Sequence, residues 1–128
     1  MQVVIDTNVL VSALMSRSGN PADIVRLMFG KVILPCYDYR VMEEYRTVLN
    51  RPRFGFIQAE IQEILAFIES SGLSVLPLPL NTPFMDESDK AFYEVARFCG
   101  IKLITGNKKH YPDEPDILAP AEFLLLLL

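Results

Sequence analysis

The sequence predicts an α/β fold with a mostly parallel central sheet covered by helices on both faces. Three observations carry that expectation. Short apolar runs alternate along the chain with longer stretches of helical period; turn or cap residues separate them; and the first run, Val3-Val4-Ile5, is continuous, as a strand buried on both faces requires. The 128 residues make one domain by size, 1–128, and such a chain buries roughly two-thirds of its unfolded surface, room for a single core.

The elements follow in order. Strand Val3–Ile5 leads into a helix whose apolar positions Val9, Leu10, Ala13 and Leu14 recur at helical spacing, and Asp6 stands where one period gives way to the other. Asn20-Pro21-Ala22-Asp23 supplies a cap, a first-turn proline and a first-turn acid for a helix that Gly30 stops after Phe29. Lys31–Leu34 reads as a short strand. Asp38 caps a helix through Leu49 with Val41, Met42, Tyr45, Val48 and Leu49 on its apolar face, and Asn50–Gly55 is a loop. Ile61, Ile64, Leu65 and Ile68 mark an amphipathic helix from Gln58 to Ser71, closed by Gly72 and followed by a strand, Leu73–Leu76. Pro77, Pro79 and Pro83 make the next stretch a connector. Ser88 then caps a helix carrying Ala91, Phe92, Val95 and Ala96 on its buried stripe and ending at Gly100; strands Ile101–Ile104 and Asp116–Leu118 and a short helix from about Ala121 complete the chain.

Composition limits the function classes. The net charge is −4, with 12 Lys plus Arg against 16 Asp plus Glu, so tight nonspecific DNA binding is not expected. The longest apolar run, Phe123 to Leu128, is far below the ~20 residues a membrane helix needs, and Asp6 interrupts the N-terminal run, so the chain reads as cytosolic with no membrane partner. Cys36 and Cys99 have no metal-site or redox spacing and read as small buried thiols.

The acids carry the chemistry. In an open parallel sheet the ligand site lies beyond the carboxyl ends of the strands, where Asp6 and Thr105-Gly106-Asn107 both fall if their strands are neighbours. Glu44 lies three after Val41 and four before Val48, so it faces inward, whereas its neighbour Glu43 faces outward. Asp89 lies three before Phe92 on the buried stripe, and Asp86 is just outside that helix. Buried carboxylates need bases or a cation, and inward bases are few. Asp6, Glu44 and Asp89, joined by an amide oxygen, make an all-oxygen site suited to Mg²⁺ or Mn²⁺, with Asp86 in reach as a further ligand. A metal so held can activate water for attack on phosphorus, which points to phosphodiester hydrolysis.

Four segments in order, VVIDTNVLVSAL, EEYRTVLNRPRF, DESDKAF and LITGNKKHY, resemble the PIN-domain family over residues 2 to about 123. The chain looks most like the bacterial and archaeal branch of toxin components of toxin–antitoxin systems. The resemblance implies a PIN-like three-layer sandwich on about five strands, a metal-dependent ribonuclease acting on single-stranded RNA, an antitoxin protein partner and a homodimer. It implies catalytic roles for Asp6, Glu44, Asp89 and Asn107, the last standing where many members carry a fourth aspartate. Exchanging that carboxylate for a carboxamide removes a charge and weakens a second metal more than the first, which leaves one-metal or low activity in play.

Each residue also has a plainer reading. Asp6 as a helix cap, Glu44 as a snorkelling flank residue, Asp89 as a first-turn acid favoured by the helix dipole, Asp86 as a solvated loop acid and Asn107 as a turn residue are the structural alternatives. Thr7 and Asn8 either orient Asp6 or a ligand water or satisfy the turn; Lys108, Lys109 and His110 either guide phosphate at the mouth of the site or, the favoured reading, form a solvated loop, and Arg51 and Arg53 either touch RNA or serve solubility. Leu124–Leu128 reads as a docked helix or a dimer contact. A non-catalytic PIN-like scaffold that binds RNA or a partner protein is the competing function. A phosphoacceptor or phosphatase domain is disfavoured, because Asp6 is followed by Thr-Asn without a second aspartate two positions on.

Overall fold

The computed structural model describes all 128 residues, Met1–Leu128. Five strands, β1 Gln2–Ile5, β2 Leu34–Tyr37, β3 Leu73–Ser74, β4 Lys102–Ile104 and β5 Ile117–Leu118, form one sheet in the order β3-β2-β1-β4-β5. Every pairing is parallel. Six helices flank it: α1 Thr7–Met15, α2 Asn20–Phe29, α3 Tyr39–Leu49, α4 Gln58–Ser71, α5 Glu87–Cys99 and α6 Pro120–Leu126. Val3, Val4 and Ile5 are all 0 % exposed although successive strand residues face opposite sides, so both faces of β1 are covered. The expected α/β sandwich is the fold observed.

The strand order places a switch point between β1 and β4. The chain steps outward from β1 through β2 to β3, then returns to lay β4 on the other side of β1, with Val3, Val4 and Ile5 in register with Lys102, Leu103 and Ile104. Connections leave these two neighbours in opposite directions, which opens a crevice beyond their carboxyl ends. Tyr45, fully buried, donates its hydroxyl hydrogen to the Ile5 carbonyl and fixes α3 against the end of β1.

Five local expectations need correction. The strand expected at Lys31–Leu34 begins only at Leu34, because Lys31 turns through a left-handed conformation (φ 61°) and the Val32 and Ile33 amides donate back to the Leu27 carbonyl. The Leu34 amide is the first to pair with β1, donating to the Met1 carbonyl. Pro35 is accommodated inside β2, since only alternate residues of a strand donate to a given neighbour. The third strand stops at Ser74, and only the Val75 amide still reaches Tyr37 before the proline-rich connector begins.

The other three corrections concern two caps and a thiol. Gly19 (φ 112°), not Asn20, precedes α2, and Asp86, not Ser88, caps α5 by accepting from the Ser88 amide at 3.0 Å. Cys99 is half-buried, unlike Cys36, whose thiol burial pushes up to about 12.

Candidate active site

Asp6 occupies the turn from β1 into α1 with extended backbone and makes no side-chain cap on the helix. Its carboxylate turns to the neighbouring strand instead. Oδ2 accepts hydrogen bonds from Thr105 Oγ1 at 2.8 Å, Tyr111 Oη at 2.9 Å and Asn8 Nδ2 at 3.2 Å. The other face of Asn8 accepts from the Gly106 amide at 2.9 Å, and a Cβ on Gly106 would lie 3.2 Å from that same Asn8 oxygen. The two strand ends at the switch point are thus laced together, with Asp6 at the centre. Burial outweighs the Thr105 and Tyr111 hydrogen bonds and holds the Asp6 carboxyl above the ordinary carboxylate range, because three neutral donors on one oxygen do not replace the water lost around a carboxylate.

Asp89 lies in the first turn of α5 and is the second acid with perturbed chemistry. Burial, followed by the nearby charges of Asp6 and Asp86, pushes its carboxyl up to about 6. Asp89 Oδ2 lies 3.2 Å from His110 Nδ1, and Asn107 Nδ2 lies 3.0 Å from His110 Nε2. The imidazole tautomer with its hydrogen on Nδ1 satisfies both neighbours. Asp86 is exposed; its Oδ1 accepts from the Ser88 amide and hydroxyl, which lowers its pKa. Glu44 is half-buried on α3, and no hydrogen bond or ion pair reaches it, whereas Glu43 beside it is bound by Arg46 at 2.6 Å.

One open cavity of about 320 Å³ is lined by Asp6, Glu44, Asp86 and Asp89 together with Asn107 and His110, and Arg51, Arg53 and Phe54 from the loop after α3 line it too. The acids expected to share a cavity therefore do so, but they do not meet at a point: no three potential metal ligands stand together. The Asn107 side-chain nitrogen faces His110. The four carboxylates on the wall are nevertheless the oxygen donors that a hard divalent cation takes. The Thr7 hydroxyl on the same wall is buried without any partner.

Three residues in contact with the acids are not legible in the sequence as partners of those acids. Thr105 was legible only as the residue closing a strand. His110, expected in a solvated loop, pairs with Asp89. Tyr111 is buried under Phe84, whose ring crosses it edge-on at 5.9 Å, and no local pattern announces a hydroxyl aimed at a carboxylate 105 positions away.

The family model described as PIN domain matches residues 2–109. An uncharacterized protein of Methanocaldococcus jannaschii is 33 % identical over 112 residues, which cover 84 % of this chain and 72 % of that protein. No solved structure matches the chain. The matched segment contains every acid on the cavity wall together with Asn107.

Proposed function

The chain belongs to the PIN-domain family, a nuclease-type fold, and from that premise we propose that it is a divalent-metal-dependent endoribonuclease acting on single-stranded RNA. The observation that carries the reading is the gathering of Asp6, Glu44, Asp86 and Asp89 on one cavity wall, at the switch point of the sheet. Asp6, Glu44 and Asp89 would hold Mg²⁺ or Mn²⁺, with Asp86 as a further ligand. The cation would lower the pKa of water and offset charge on the phosphate. Thr105 and Tyr111 hold Asp6 by Oδ2, which leaves Oδ1 for the cavity. His110 steadies Asp89 until a stronger charge competes for it.

The test is calorimetric titration of Mn²⁺ into the wild type and Asp6→Asn, followed by incubation with pooled single-stranded RNA. Cleavage that needs metal, and falls by at least about 100-fold in Asp6→Asn and Glu44→Gln, is the expected result. Both variants cutting as well as wild type would remove these residues from the site.

The absence of a preassembled ligand cluster, with Asn107 in place of a carboxylate, favours one second reading: a weak or inactive scaffold that binds RNA or a protein. Metal and RNA binding without turnover would select it. We carry the first reading further to the toxin of a toxin–antitoxin pair in the cytoplasm, whose antitoxin covers the acidic cavity; its support is the sequence resemblance. We also propose a homodimer, supported by the leucines that α6 leaves exposed. No helix is long and apolar enough to cross a membrane.

A further inference from the structure

Five of the seven arginines have a carboxylate within salt-bridge distance: Arg17 with Glu60, Arg26 with Asp23, Arg40 with Asp38 and Glu94, Arg46 with Glu43 and Glu69, and Arg97 with Glu114. Arg51 and Arg53 have none. In a chain with more acids than bases, two exposed guanidinium groups without partners stand out, and both line the cavity that holds the acids.

The loop that carries them is ordered by its own stacking. Pro52–Phe54 forms a single 3-10 turn, and Gly55 follows in the left-handed region (φ 61°), which folds Phe56 back onto Phe54. The two rings stack with centroids 5.0 Å apart and planes 8° from parallel. The Arg53 guanidinium lies 4.9 Å from the Phe54 ring centroid, a cation–π distance. Arg53 is therefore held in place while its charge remains unneutralised, an arrangement suited to an external anion.

Resting on the nuclease reading above, we infer that Arg51 and Arg53 form a phosphate clamp that grips the backbone of single-stranded RNA beside the carboxylate cavity, with Phe54 as the positioning residue that presents Arg53. Position favours a phosphodiester over a protein carboxylate: the clamp shares a cavity with the acids that the same reading assigns to phosphodiester chemistry. Two adjacent cations also match the repeated charge of a strand. They counter the repulsion that a polyanion meets on approaching Asp6, Glu44 and Asp89.

The experiment measures binding of a fluorescein-labelled 12-nucleotide RNA without secondary structure to Asp6→Asn protein in Mn²⁺, across a salt series. Arg51→Gln and Arg53→Gln should each reduce the log–log salt slope by about 0.7, the share of one single-strand phosphate contact, and weaken binding about fivefold at 0.1 M salt. Arg53→Lys should keep the slope. Phe54→Leu should keep the slope while weakening binding about two- to fivefold, the loss expected when only pre-positioning of a cation is removed. Lys31→Gln is the control: it removes an exposed base that precedes β2, at the opposite end of the sheet from the cavity.

Slopes unchanged in both arginine variants, or reduced equally in Lys31→Gln, would overturn the clamp. Matching urea midpoints exclude misfolding as the cause of a loss. Binding that follows the expected pattern, without metal-dependent cleavage by the wild type, keeps the clamp and rejects the nuclease. Cleavage with unaltered slopes does the reverse, and no RNA binding at all rejects the clamp.

Discussion

At Asp6, folding and chemistry make opposite demands on one carboxylate. The side chain is 4 % exposed and its ionised form is disfavoured by burial, yet the proposed cation site would need it ionised. Asp6→Asn retains an acceptor oxygen for Thr105 and Tyr111 and removes the buried charge. Metal-free Asp6→Asn should therefore melt at or above the wild-type temperature at pH 7.5 while cleavage is lost; a fall of several degrees in a thermal scan would show that the charge stabilises the fold. Asp89 gives a pH-dependent counterpart. Its folded carboxyl titrates at about 6 against an ordinary 3.8, so between those values the folded protein holds a proton that the unfolded chain has released. The resulting stability is full below 3.8 and is lost as pH rises through 6. A bound cation offsets the cost of burying the ionised Asp89 beside Asp6 and Asp86 at high pH, so the rise in melting temperature given by Mn²⁺ should be large at pH 7.5 and small at pH 5. Equal rises at both would exclude Asp89 as a ligand.

Among the elements, α5 is tied to the connector before it by a pair that has no place in the cavity. Glu94, 2 % exposed, accepts from Arg40 at 2.6 Å and from the Leu80 amide at 2.5 Å, and Arg40 also reaches Asp38, the cap of α3. Removing the acid leaves the half-buried Leu80 amide without an acceptor and Arg40 with Asp38 as its one remaining partner. Because Arg40 remains half-exposed and can rehydrate, Glu94→Ala should cost about 2 kcal/mol in urea unfolding, below the range for a fully buried pair. A loss under about 0.5 kcal/mol would mean that the connector is held by its apolar contacts alone. The same elements show what the chain makes legible. Helices were readable because 3.6-residue spacing over ten or more positions is redundant: Val41, Met42, Tyr45, Val48 and Leu49 place α3 unaided. Short strands were less so, since three apolar residues after Gly30 look like a strand until the Val32 and Ile33 amides are seen bonded to the end of α2. Asp6, Glu44 and Asp89 were placed on one cavity by strand-end logic and helix phase. Thr105, Tyr111 and His110 were not, because their partners lie across the fold and only tertiary packing chooses them.

On the scale of the whole molecule, the acids and the apolar surface that remains exposed belong to different regions. The acids come from the end of β1, from α3 and from the start of α5, whereas α6 packs against α2 and buries Phe123 completely. That helix nevertheless leaves Leu125 at 66 %, Leu126 at 54 % and Leu128 at 100 % exposure. Apolar residues clustered this way are costly in water at roughly 25 cal/mol per Å², and pairing with a second copy would bury them. The wild type should therefore sediment as a dimer at micromolar concentration. Leu125→Glu combined with Leu126→Glu should sediment as a monomer with an unchanged circular dichroism spectrum, because neither side chain contributes to the buried core. If dimer contacts and the site are independent, the monomeric variant should cleave RNA as fast as the wild type. Cleavage lost together with the dimer would instead mean that a second copy completes the cavity, and a wild type that sediments as a monomer would leave the leucines for a different partner protein.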